Sequence, residues 1–241
     1  MFNRSRSEHR YCPWGVLEHD SMNDPTIRRP ILAELYEQFL ADRDQAAFVH
    51  RVAGRYQTAT LERLAQHPSR WVRRGAVLAL GTVADFSSNA VLGSALVDID
   101  RGVRILAETA IRAVWCRDGS WNQQQQLARV IGLNAAEKHD AARTAATRLI
   151  EDNCQLAEAW NQRAIANFAL GRHLESISDC RHTLVLNPFH FGAAAGLGQC
   201  HLQIGDQRSA LDTFRHALKI NPSMEGVRAN VVYLQKLLKK K

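Results

Sequence analysis

The chain has 241 residues, 46% of them hydrophobic and 23% charged, and a formal net charge of +7. That balance excludes a disordered or collagen-like chain. No apolar run reaches the ~18 residues of a membrane-spanning helix, the best candidate, 75–86, being broken by Thr82 and Asp85. Five cysteines at 12, 116, 154, 180 and 200 form no Cys-x-x-Cys pair. They argue against a disulfide framework or a cysteine zinc site and suit a reducing, cytoplasmic setting.

In chain order, residues 1–27 carry Pro13, Gly15 and Pro25 without helical periodicity, and are predicted to be an extended or disordered leader. The basic start has no apolar segment behind it, so it does not read as a secretory signal. A helical domain is expected over 28–117, with breaks at 42–44, 67–69 and 85–88. Inside it Val72-Arg73, Ala76 and Ala79 recur 31 residues later as Val103-Arg104, Ala107 and Ala110. Small residues at i, i+3 and i+4 let one helix sit close on its neighbour. This form resembles the short HEAT-like repeats. The resemblance implies structural roles for Arg73 and Arg104 and a loop-linking pair of Asp98 with Arg104; His67 stands where the first copy would have Asp. A competing reading makes Arg70, Arg73 and Arg74, beside Trp71, an exposed basic and aromatic patch.

Arg117-Asp118-Gly119-Ser120 has turn chemistry and marks a junction. Beyond it, Ala159-Trp160 through Gly171 to Asn187-Pro188 is matched by Ala193 through Gly205 to Asn221-Pro222, an offset of 34 residues. Such a period resembles the tetratricopeptide repeat (TPR) family. The expected fold is an all-α solenoid: a TPR domain over 121–241 follows the HEAT-like part. It holds a degenerate repeat at 121–156, with Cys154 in place of the closing proline and helices at 127–131 and 141–150. Repeats at 157–190 and 191–224 and a capping helix at 225–239 complete it. Three segments, Ala157 to Ala164, Ser176 to Cys180 and Asn187 to Ala193, also resemble a narrower TPR group without an established activity.

The resemblance assigns Trp160, Ala164, Gly171, Ile177, Leu197, Gly198, Gly205 and Phe214 to the scaffold. It turns Glu158, Asn161, Ile165, Phe168 and Ala169, with Ala195, Gln199, Leu202 and Gln203, toward a concave groove for a protein or peptide partner. The basic clamp that some TPR proteins use for acidic chaperone tails is absent near Leu127, Ile131, Gly226 and Asn230.

No metal, cofactor or catalytic motif appears: there is no His-x-x-x-His, P-loop or Gly-x-Ser-x-Gly spacing. His182 and His216, equivalent in successive repeats, are expected on one outer face. A site joining His190, His201 and Cys200 has no supporting spacing, and Cys180 and Cys200 read as packing residues. The leading function is therefore a non-catalytic scaffold or adaptor. Two alternatives stand beside it. HEAT-like repeats also resemble those of phycobilin lyases, although no bilin-handling residues are recognisable. Residues 181–241 carry 9 basic and 3 acidic groups, a cluster that could attract nucleic acid but is equally a solvated helix end.

Overall fold

The protein is described from a computed structural model over residues 30–239, so the leader expected at 1–27 lies outside the described residues. Among the described residues there are thirteen α-helices and no strand. The first six are α1 (Ile31–Asp42), α2 (Gln45–Ala53), α3 (Thr58–Leu64), α4 (Arg70–Val83), α5 (Asn89–Ala95) and α6 (Arg101–Trp115). The next four are α7 (Trp121–Ala135), α8 (His139–Asp152), α9 (Ala157–Ala169) and α10 (His173–Leu186). They are followed by α11 (Phe191–Gln203), α12 (Gln207–Ile220) and α13 (Glu225–Leu238).

In the N-terminal half the 31-residue spacing relates α3–α4 to α5–α6. Arg73 donates to the carbonyls of His67 and Pro68 at 3.0 and 2.9 Å. Arg104 donates to those of Asp98 and Ile99 at 2.7 and 3.1 Å. Each guanidinium thus closes the turn that precedes its own helix. The pairing expected between the Asp98 carboxylate and Arg104 is not formed. That carboxylate instead accepts two bonds from Arg73 of the preceding unit, both at 2.8 Å, and ties unit to unit. A second tie of the same kind joins Arg74 to Asp100, again twice at 2.8 Å. Bidentate pairs of this geometry are the stronger kind of charged hydrogen bond.

The junction at 117–120 is a tight turn with Gly119 at φ 76°. Arg117 sends its guanidinium back to the carbonyls of Gly81 and Ala84 at the end of α4. Ser120 and Gln123 form a reciprocal cap on α7. The polar run Gln123–Gln126 is therefore the first turn of a full helix, which is longer than the 127–131 segment read from apolar residues alone. Glutamine is a good helix former, so the run extends the helix rather than interrupting it.

In the C-terminal half, the turn inside each helix pair holds a left-handed residue at the same repeat position: Glu137, Gly171 and Gly205, with φ of 57°, 72° and 80°. A Cβ added at either glycine would meet nothing within 4 Å, so the backbone angle alone calls for glycine. The second helices end on Asn153, Asn187 and Asn221. Each side chain accepts the N–H two residues on, from Gln155, Phe189 and Ser223 respectively. Within the central pair, Asp179 is 3% exposed and accepts two bonds from Arg163 and one from Asn167, clasping α9 to α10. Trp160 lies between the Arg163 guanidinium at 4.8 Å and the His182 ring at 4.3 Å.

One apolar cluster runs through both halves, from Val72, Leu80, Ile111 and Trp115 to Phe191, Phe214 and Leu234. Full burial of a side chain such as Phe191 or Phe214 contributes about 1.5–3 kcal/mol. The repeat turns themselves dock on α5 and α6. Asn89 donates to Asn187 at 2.9 Å, and Asn221 donates to Glu108 at 3.2 Å. Phe189 lies against Gly93 so closely that any Cβ there would overlap the ring.

Candidate functional site

Between α6, α9 and α11 lies an open cavity of about 430 Å³. Glu158, Asn161, Gln162, Ile165 and Phe168 reach it from α9, at the spacing of one helical face. Gly192, Gly196 and Gln199 reach it from α11, and Ile131, Ser176 and Cys180 complete the wall from α7 and α10. Arg112, Trp115 and Cys116 close it from α6.

Of the groove residues expected from sequence, Glu158, Asn161, Ile165, Phe168 and Gln199 stand in this wall. Ala195 and Leu202 instead pack against the cluster shared with the N-terminal half, and Gln203 is exposed near the end of α11. Neither they nor Ala169 line the cavity. The α11 positions that do, Gly192 and Gly196 with Gln199, lie about one turn nearer the start of the helix, so the cavity sits at the N-terminal part of α11 rather than along its length. The wall residues from α6 could not be read from sequence, because their contact with the repeats is long-range. His190 carried a local signal, sitting immediately before a helix where an acceptor side chain is useful.

A buried polar network in the wall is centred on Glu158. Its carboxylate is 7% exposed and accepts from Asn161 Nδ2 at 2.9 Å, Gln162 Nε2 at 2.7 Å and His190 Nε2 at 2.8 Å. Burial alone would push this carboxyl up; the bonds from His190, Gln162 and Asn161 outweigh it and hold the group below the ordinary carboxylate range. His190 Nδ1 accepts the Ala193 N–H at 2.9 Å as the N-cap of α11, so the ring hydrogen is on Nε2. The imidazole also stacks on Trp115, centroids 4.0 Å apart, and the indole N–H donates to Asn89 at 2.8 Å. Both nitrogens of His190 and all three donors to Glu158 are thus spent inside the protein. This arrangement holds α6, α9 and α11 in register, and it leaves neither group poised as a catalytic acid or base.

What stays available is different in kind. Gln199 has no side-chain hydrogen bond among the described residues, and Asn161 commits only its Nδ2. Ile165, at 43% exposure, and Phe168 offer apolar surface beside them. Amides next to aliphatic and aromatic groups suit an extended peptide, whose backbone needs donors and acceptors while its side chains need apolar cover. The thiol of Cys116 is pushed up to about 11 by burial, and so is a packing group rather than a nucleophile. Cys200 donates to Ser176 at 3.2 Å, and His201 lies 3.7 Å from Asp206, so neither joins His190 in a site. No group of three or more metal-ligating side chains occurs among the described residues.

The exposed basic patch expected around Trp71 is corrected by the structure. Arg73 and Arg74 are only 11% and 21% exposed because Asp98 and Asp100 hold them. Arg70 alone of the three is unpaired by a carboxylate, lying 5.7 Å from the Trp71 ring.

No family model matches the chain. A TPR repeat-containing protein of Rhizobium etli is 34% identical over 82 residues, which is 34% of this chain and 40% of that protein. The Hsp70-Hsp90 organizing protein of Triticum aestivum is 29% identical over 77 residues, 32% of this chain and 13% of that one. The matches thus span less than half the length of either relative. Among solved structures, the first TPR of Spaghetti (RPAP3), bound to an HSP90 peptide, is 17% identical with a TM-score of 0.48, covering 50% of this chain and 96% of that one. The described residues form an all-helical solenoid, and the chain, with its 34-residue period, is similar to tetratricopeptide repeat proteins.

Proposed function

We propose that the chain is a non-catalytic cytoplasmic adaptor that binds a peptide or a short segment of a partner protein in the cavity lined by α6, α9 and α11. The carrying observation is the division of labour in the wall. Charged groups there are mostly satisfied internally, while Asn161, Gln199, Ile165 and Phe168 keep capacity for a ligand. The wheat relative, by its name an organiser of two other proteins, supports the adaptor class. The N-terminal helix pairs act in this reading as a HEAT-like platform that braces the repeats and walls the cavity.

Photo-crosslinking tests it. A benzoylphenylalanine placed at Ile165 should capture a defined segment of a partner, whereas the same group at Val185, 79% exposed on α10, should not. Adding Asn161→Ala and Phe168→Ala should abolish the capture without lowering helicity. Equal capture from both positions, or capture indifferent to the double substitution, would remove the cavity from the function.

A further inference from the structure

The cavity is walled in part by a helix from outside the repeats, and among the described residues that helix brings the one arginine or lysine of the wall. Arg112 is 53% exposed, and its guanidinium carbon lies 4.5 Å from the centre of the Phe191 ring. Its one recorded ion pair is with Glu108, at a long 3.4 Å and of the i,i+4 surface type. Such pairs hold weakly, and a guanidinium has five N–H donors. Most of its bonding capacity is therefore still open. Glu158, the only carboxylate in the wall among the described residues, is turned onto three donors and does not compete for Arg112. The same wall carries the apolar side chains of Trp115, Ile131, Ile165 and Phe168, and the backbone of Gly192 and Gly196.

Resting on the peptide-binding reading above, we propose that the bound segment carries an apolar side chain next to an acidic one. The apolar group enters the cavity, and the carboxylate pairs with Arg112. A cavity of about 430 Å³ has room for a leucine or an aromatic ring. A carboxylate arriving beside it meets a guanidinium over the Phe191 ring, whose planar fork of donors suits two parallel hydrogen bonds. A basic residue at that point would face the same guanidinium and be rejected. The helix half outside the repeats therefore decides which segment the repeats accept, with Arg112 as the specificity-determining residue.

The test uses the full chain and a phage-displayed library of random peptides as the probe. Selections run in parallel on the wild type, Arg112→Glu and Ile165→Arg, each first shown to keep its helical circular dichroism. The wild type should enrich peptides with Asp or Glu adjacent to one apolar residue. Arg112→Glu should keep the apolar residue and exchange its neighbour for Lys or Arg, changing the acidic-to-basic ratio there by about tenfold or more. Ile165→Arg, which blocks the cavity from a half-exposed position, should lose the enrichment altogether. If Arg112→Glu selects the same acidic peptides as the wild type, Arg112 has no part in specificity and this inference is overturned, while the cavity reading survives. If the wild type enriches nothing, or Ile165→Arg selects as the wild type does, the cavity reading itself falls.

Discussion

The two halves of this molecule join helix pair to helix pair by different means. In the N-terminal half the ties are ionic: Asp98 and Asp100 each receive a bidentate arginine from the unit before. In the C-terminal half they are mainly conformational, built from a turn-closing asparagine at 153, 187 and 221, with the bond from His190 to Glu158 beside them. The difference teaches where binding capacity can reside. A surface whose charges are consumed in stacking has little left to offer a partner. A surface stacked through turns and small side chains keeps its amides free. The cavity lies where the second kind of surface meets the end of α6 from the first.

The largest effect should come from the polar network that joins α9 to α11 beside Trp115 of α6. Glu158→Ala would leave His190, Asn161 and Gln162 with unpaired buried donors, and a loss of about 3–5 kcal/mol is expected in urea unfolding. The same carboxylate gives a pH signature. A group whose folded pKa lies below its ordinary 4.5 stabilises the fold fully above that value, and the contribution disappears as the pH falls through the lower folded value. Glu158→Gln should therefore lose less stability on acidification below about pH 4 than the wild type does. A parallel decline in both proteins would show that Glu158 is not the group responsible.

Breaking a tie within the ionic half should cost less. Asp98→Ala strips Arg73 of its partner but leaves its bonds to the His67 and Pro68 carbonyls, so about 2 kcal/mol is expected, read from the shift of the urea midpoint. Gly93→Ala attacks the seam instead, forcing Phe189 away from α5, with a cost of about 1–3 kcal/mol. Protection of the α5 amides in hydrogen exchange should fall alongside; unchanged protection would mean that the seam does not hold α5.

The smallest effect sharpens the comparison rather than breaking it. Glu137 occupies the left-handed position that glycine fills at 171 and 205. Glu137→Gly should therefore raise stability by about 1 kcal/mol, and Gly171→Ala should lower it by a similar amount. If Glu137→Gly destabilises, the degenerate repeat is not held by the same turn as the other two.

The turn glycines, the closing asparagines and the helix pairs were legible in the sequence, because a backbone angle or a 34-residue period leaves a local trace. The α9 face of the cavity was legible for the same reason, since Glu158, Asn161, Ile165 and Phe168 fall on one side of a helix. The role of Glu158 was not. Whether a carboxylate waits for a ligand or is already satisfied depends on His190, 32 residues away, and Gln162 beside it. Arg73 and Arg74 were ambiguous because an arginine at a helix start reads equally as surface or clasp until the facing aspartates are placed. Arg112 and Trp115 were invisible, since nothing in α6 itself announces which distant helix it will meet.

The most direct measurement is an NMR titration of the 15N-labelled full chain with the segment identified by crosslinking at Ile165, following the tryptophan indole N–H signals. Trp115 forms part of the cavity wall, whereas Trp71 lies on α4 against Tyr36. Saturable movement of the Trp115 signal with Trp71 unchanged is the predicted result. Binding that moves Trp71 and leaves Trp115 still would place the partner elsewhere and contradict the account.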